Sequence, residues 1–107
     1  MMIEKYHIEI YKDKQGLAPF VKWIESLKDV RARAKVKVRL TRLWLGNLGD
    51  CKSVGDGVYE IRIDEGIGYR VYFAQEPNTK IILLGGSKKI QTKDIDKAKQ
   101  YIKDYRS

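Results

Sequence analysis

Apolar and polar residues alternate from Ile3 to Tyr11, with Tyr6, Ile8 and Ile10 on one face and Lys5, His7 and Glu9 on the other. That period of two predicts a strand with one buried face. Turn residues occupy Asp13 to Gly16, and Pro19 suits the first turn of a helix. Phe20, Trp23, Ile24 and Leu27 then recur at i, i+3, i+4 and i+7, the stripe of an amphipathic helix. Val30 to Leu40 carries two periods at once. Apolar and basic residues alternate there, as in a strand, yet Asp29 offers an N-cap and the residues are good helix formers. On a helix Ala32, Val36, Leu40 and Leu43 form one stripe, and Arg31, Lys35, Arg39 and Arg42 form the neighbouring one. The helix is the preferred reading, ended between Gly46 and Gly49.

The pattern changes after Cys51. Val58 to Ile63 alternates, Asp64 to Gly68 is a glycine-bearing turn, and Tyr69 to Ala74 is rich in aromatic and β-branched residues. Pro77, Asn78 and Thr79 turn the chain again before the apolar run Ile81 to Leu84. Three strands joined by short turns read as an antiparallel meander, with a further short strand near Lys52 to Val54. Thr92 is a candidate cap for a last helix, Asp94 suits its positive end, and Ile95, Ala98 and Ile102 supply its apolar stripe. The order βααβββα predicts an α+β fold: a small antiparallel sheet with two N-terminal helices and a C-terminal helix, the helices covering one sheet face. At 107 residues, residues 1–107 are expected to form a single domain.

Composition narrows the function. The chain has 22 Lys and Arg against 14 Asp and Glu, a net charge of +8. In so small a domain this favours an anionic partner, nucleic acid first. The excess is concentrated: Arg31, Arg33, Lys35, Lys37, Arg39 and Arg42 lie between Val30 and Arg42 with no acidic residue among them. No apolar run approaches a membrane span, and no signal-peptide core precedes the first strand, so the expected compartment is the cytoplasm, with no membrane partner. One cysteine, Cys51, and one histidine, His7, cannot build a His/Cys metal site or a Cys–His nucleophile near the meander. No metal and no cofactor are expected. Gly85-Gly86-Ser87-Lys88 has the flavour of a phosphate loop but lacks its glycine spacing and following apolar helix.

What remains is a set of basic and aromatic residues on the meander: Lys52, Arg62, Tyr69, Arg70, Tyr72, Lys88 and Lys89. Arg62 shares a strand face with Glu60 and Val58, and Arg70 shares one with Tyr72, while Tyr69, Val71 and Phe73 face the core. Adjacent antiparallel strands bring Arg62 within cross-strand reach of Arg70 or Tyr72. The ordinary alternative is that Arg62 pairs with Glu60 or Asp64 and Tyr72 caps the core.

Four segments together carry a resemblance. Val58-Tyr59-Glu60-Ile61-Arg62-Ile63-Asp64, Gly68-Tyr69-Arg70-Val71-Tyr72-Phe73, Ile82-Leu83-Leu84-Gly85-Gly86-Ser87-Lys88 and Gln91-Thr92-Lys93-Asp94-Ile95 resemble the RelE/ParE toxin superfamily, within it the HigB-like addiction-module killer branch. Gly46 to Asp50 and the basic helix before it are similar to that branch too. Ile67 departs from the proline usual between the glycines, and Ser87 stands where an acidic residue is common.

The resemblance implies a toxin of a toxin–antitoxin pair that cleaves mRNA, on the ribosome in many relatives, and so inhibits translation. It matches Arg62 and Arg70 to the strand basic residues, and Lys88 with Lys89 to the basic pair after the final strand. Arginine suits phosphate clamping because its fork meets phosphate oxygens bidentately and stays charged. Lys88 or Lys89 would serve as acid or base, with Tyr72 as alternative acid or as a stacking surface. Arg31, Lys35, Arg39, Arg42, Lys52 and Gln91 would contact RNA or the ribosome. The implied partner is a helix-turn-helix, HigA-like antitoxin, operator DNA being bound only by the complex. Two alternatives stay open: a ParE-like gyrase inhibitor on the same fold, and a non-enzymatic nucleic-acid-binding module.

Overall fold

The computed structural model describes residues 7–107. The expected strand Ile3 to Tyr11 begins in residues outside that range, and its described part is β1, His7–Ile10. It is followed by α1 (Pro19–Ser26), α2 (Val30–Trp44), β2 (Cys51–Gly55), β3 (Val58–Ile63), β4 (Tyr69–Glu76), β5 (Thr79–Ser87), a single 3₁₀ turn at Lys88–Ile90 and α3 (Gln91–Arg106). The ambiguous basic stretch is a helix. Asp29 caps it by accepting a hydrogen bond from the Ala32 amide at 3.0 Å, and Ala32, Val36 and Leu43 are buried. At its far end Gly46 takes φ +86° and donates to the Leu43 carbonyl, while Asn47 donates to that of Arg42, so freed carbonyls are satisfied.

The sheet is five-stranded and mixed, in the order β1-β5-β4-β3-β2. β2 to β5 are antiparallel neighbours, as the meander predicts, with Cys51–Gly55 completing the short strand foreseen at Lys52 to Val54. β1, by contrast, runs parallel to β5, with His7 opposite Thr79 and Ile10 opposite Ile82. All of α1 through β4 lies between the two, more than the long connection a parallel neighbour needs.

The helices do not cover one face of the sheet, as expected, but both. Ile61, Ile63, Val71, Phe73 and Ile82 pack with Phe20, Ala32, Val36 and Leu43 of α1 and α2. Val58, Tyr72, Ala74, Ile81, Leu83 and Leu84 pack with Ala98 and Ile102 of α3. The middle strands β4 and β5 therefore bury apolar residues on both sides, which explains the near-continuous run Ile81 to Leu84, whereas the α3 side of β3 carries Val58, Glu60 and Arg62. Thr92 does not cap α3. The 3₁₀ turn carries the chain into the helix with Ile90 at the cap position, two residues earlier, and Thr92 lies in the first turn.

Candidate functional site: a cationic pocket backed by a buried carboxylate

The site is built at the ends of β3, β4 and β5, where the α3 face of the sheet meets the β3–β4 turn. Register sets Arg62 directly opposite Arg70, and Arg70 opposite Gly86. Lys88 begins the 3₁₀ turn, and its amide donates to the Gly68 carbonyl, tying the end of β5 to the β3–β4 turn. Gly68 has φ +86°, and the Lys88 Cδ lies 3.2 Å from where a side-chain carbon at that position would stand. The positive φ favours glycine, and a side chain there would press on the Lys88 chain.

Arg62, Arg70 and Lys88 thereby line one pocket of about 250 Å³, closed by Gly66, Ile67 and Gly68 and by Asp50 and Asp64. Three cations against two carboxylates leave an excess of one positive charge. The polar, strand-end pocket is shaped for an anion with neighbouring donors. Lys89 is exposed on the same turn but lies outside the pocket lining.

Behind the arginines sits Glu60, with no exposed surface. Its Oε2 accepts hydrogen bonds from the Tyr72 hydroxyl at 3.2 Å and from the Gln91 amide at 2.7 Å. Its Oε1 faces the Arg70 Nε at 3.6 Å, the Arg62 Nε at 3.9 Å and the Lys52 Nζ at 4.0 Å. These are ion-pair separations rather than hydrogen bonds: Glu60 Oε1 and both Nε atoms have no hydrogen-bond partner. A buried carboxylate needs such company, because desolvation of an unpaired charge is prohibitive. Five of the residues picked out from the sequence, Lys52, Arg62, Arg70, Tyr72 and Gln91, thus converge on a sixth that was seen only as a salt-bridge partner of Arg62. The clue was on the strand: Glu60 shares the Arg62 face and pairs with Tyr72 across β4.

Tyr72 cannot be the stacking surface expected of it. It has no exposed area, and burial first, then the neighbouring Glu60, pushes its hydroxyl well above the usual phenol range. A phenol held that way keeps its proton and donates it to Glu60. It orients the carboxylate and does not meet solvent.

The basic stripe of α2 divides. Arg39 donates through Nη1 to the Arg62 carbonyl at 2.6 Å and through Nη2 to those of Leu48 and Asp50 at 3.2 and 3.1 Å. Lys35 donates to the Asp64 carbonyl at 3.2 Å and lies 3.6 Å from Glu65. Arg39 is therefore occupied in holding the Leu48–Asp50 loop against β3, while Arg31 and Arg42 are exposed on the helix. Lys35, Arg39 and Arg42 also border a second cleft of about 460 Å³, between α2 and the end of β3.

The two glycines of the supposed phosphate loop have another task. They are buried near the end of β5 and face opposite ways: a side-chain carbon on Gly85 would strike the Trp23 ring of α1, and one on Gly86 would strike Asp94 of α3. They let helices approach the sheet on both faces rather than cradling a ligand. Asp94 is itself buried, its Oδ2 without a hydrogen-bond partner, and burial raises its carboxyl above the ordinary range. No helix among the described residues is long and apolar enough to cross a membrane.

Fold and site together define a small α+β protein with helices on both faces of a mixed sheet and a cationic pocket at one end of its strands. The chain belongs to the phage-derived protein Gp49-like family (DUF891), whose profile matches residues 22–103, from α1 through most of α3. A protein of Haemophilus influenzae, described as uncharacterized, is 53% identical over 81 residues, spanning 75% of this chain and 82% of its relative.

Proposed function

We propose that this chain is the toxin of a toxin–antitoxin pair, an endoribonuclease that cleaves mRNA, engaged on the ribosome, and that a helix-turn-helix antitoxin neutralises it. The observation that carries this reading is the lining of a single pocket by Arg62, Arg70 and Lys88. Membership of the Gp49-like family and the resemblance of the four segments support it.

In this reading the scissile phosphate sits between the two guanidinium groups. The ribose 2′-oxygen attacks phosphorus, the bond from phosphorus to the 5′-oxygen breaks, and the products are a 2′,3′-cyclic phosphate and a 5′-hydroxyl. Arg62 and Arg70 neutralise the charge that grows on the phosphorane oxygens, where preorganised donors act most strongly. The Lys88 ammonium gives a proton to the departing 5′-oxygen. Asp50 and Asp64 line the same pocket, and one of them takes the 2′-hydroxyl proton. Glu60 touches no substrate. It is a positioning residue whose carboxylate, held by Tyr72 and Gln91, fixes the side-chain paths of Arg62 and Arg70.

The test is expression of the chain alone with mapping of transcript 5′ ends. New cuts within translated mRNA are expected, lost in Arg70→Ala and in Lys88→Ala. Full toxicity from a folded Arg70→Ala protein overturns the site, and DNA breakage with intact mRNA overturns the ribonuclease.

A further inference from the structure

The cleft between α2 and β3 is joined to the cationic pocket. Asp50, Arg62 and Asp64 line both. Its remaining lining is of a different kind: the exposed apolar residues Ala34 and Val38 and the buried Ile63 behind them, with Lys35, Arg39 and Arg42. Val38 is 48% exposed on a helix whose solvent side is otherwise mostly basic and polar. An apolar floor in a cleft of about 460 Å³, rimmed by cations and opening beside an anion pocket, matches a flat aromatic group attached to a phosphate. What separates the cleft from the pocket is its apolar surface at Ala34 and Val38, which a base can cover and a second phosphate cannot use, while the Arg39 fork is already bound to backbone carbonyls.

We propose that this cleft is a nucleobase subsite, holding the base of the nucleotide on the 5′ side of the scissile phosphate. The inference rests on the ribonuclease reading and deepens it. The order of groups along the chain of an RNA is base, ribose, phosphate. The order along this surface is apolar cleft, carboxylate-bearing junction, arginine pocket. A base against Ala34 and Val38 with its 3′-phosphate between Arg62 and Arg70 lays its ribose over the junction, so the 2′-hydroxyl meets Asp50 and Asp64. The subsite thus aligns the nucleophile while the pocket holds the electrophile.

The probe is a dinucleoside monophosphate whose 5′ nucleoside lacks the 2′-hydroxyl and so cannot be cleaved, compared with its counterpart lacking the 5′ base. Binding to the full chain is followed by NMR, through the Val38 and Ile63 methyl signals and the affinity. The base-bearing probe is expected to bind roughly tenfold tighter, the gain from burying about 50–60 Å² of apolar surface, and to shift the Val38 methyls, which the abasic probe leaves in place. Ala34→Leu, a change at an exposed helix position, fills the cleft. It should lower the affinity of the base-bearing probe to that of the abasic one and leave the abasic affinity unchanged. Equal affinities in the wild-type chain, or equal weakening of both probes by Ala34→Leu, overturn the subsite while leaving the phosphate clamp intact. If neither probe binds the wild-type chain, the subsite is overturned, while the ribonuclease reading stands or falls separately on the transcript cuts.

Discussion

Replacing Glu60 by alanine removes the acceptor of the buried Tyr72 hydroxyl and the counter-charge of Arg70, whose side chain is only 13% exposed. An orphaned buried hydroxyl costs about 1–3 kcal/mol, and breaking a buried ion pair by deleting one partner costs about 3–5 kcal/mol. The two share one carboxylate and do not add. Lys52 and Arg62 contribute little to the sum, because their side chains are 50% and 43% exposed and water screens them. Glu60→Ala should therefore destabilise the fold by about 3–5 kcal/mol, lowering the melting temperature by roughly 15–25 °C in a chain of this size. Urea unfolding of the wild type and the variant measures the difference.

A second variant separates charge from packing. If the loss comes from an uncompensated cation, removing Arg70 as well should return part of it, so Glu60→Leu with Arg70→Met should be more stable than the sum of the single changes by at least about 1 kcal/mol. Strict additivity, or a Glu60→Ala cost below about 1 kcal/mol, refutes the claim that this carboxylate organises the site.

Arg39→Ala should cost about 2–3 kcal/mol, from charge-assisted bonds to three carbonyls, and speed amide exchange at residues 48–52. Arg31→Ala on the same helix should be close to neutral. Gly85→Ala forces the Trp23 ring off β5. It should cost about 1–3 kcal/mol as overpacking and change the near-ultraviolet dichroism of that tryptophan. Burial raises the Asp94 carboxyl, so the native state holds its proton more tightly than the unfolded chain. Stability from this group is then present at low pH and lost as pH rises above the ordinary carboxylate range. Plotted against pH from 4 to 7, the stability of wild type minus that of Asp94→Asn should fall, and a flat or rising difference contradicts the assignment.

Periodicity carried most of the fold. The stripes Phe20-Trp23-Ile24 and Ala32-Val36-Leu43 and the alternation in Val58 to Ile63 each name their own element, because each buries one face against a neighbour. The parallel pairing of β1 was not legible, since nothing local distinguishes the partner of an edge strand. Nor was the two-sided cover: a strand apolar on both faces loses the alternation that would say where the helices lie. At the site, strand geometry grouped Arg62 with Arg70, while Lys88 was added by the resemblance. Glu60 was harder, because a carboxylate beside an arginine usually marks an exposed pair, and only tertiary packing reveals that this one is sealed from water. The split within the basic helix was likewise invisible, because Arg31 and Arg39 differ only in what the Leu48–Asp50 loop brings beside them.

The glycine pair of β5 connects these two levels. The register between β4 and β5 shifts after Tyr72, which pairs with Leu84 while Phe73 pairs with Ile82, leaving Leu83 as an extra residue. Leu83 and Leu84 consequently both pack toward α3, and alternation resumes with Gly85 toward α1 and Gly86 toward α3. The missing side chain at Gly86 lets Asp94 and the first turn of α3 settle onto the sheet beside Arg70, its cross-strand neighbour. That approach delivers Gln91 to Glu60, and Glu60 in turn sets Arg70. A side chain at Gly86 should therefore disturb the arginine pocket through α3, from a position that lines no part of it.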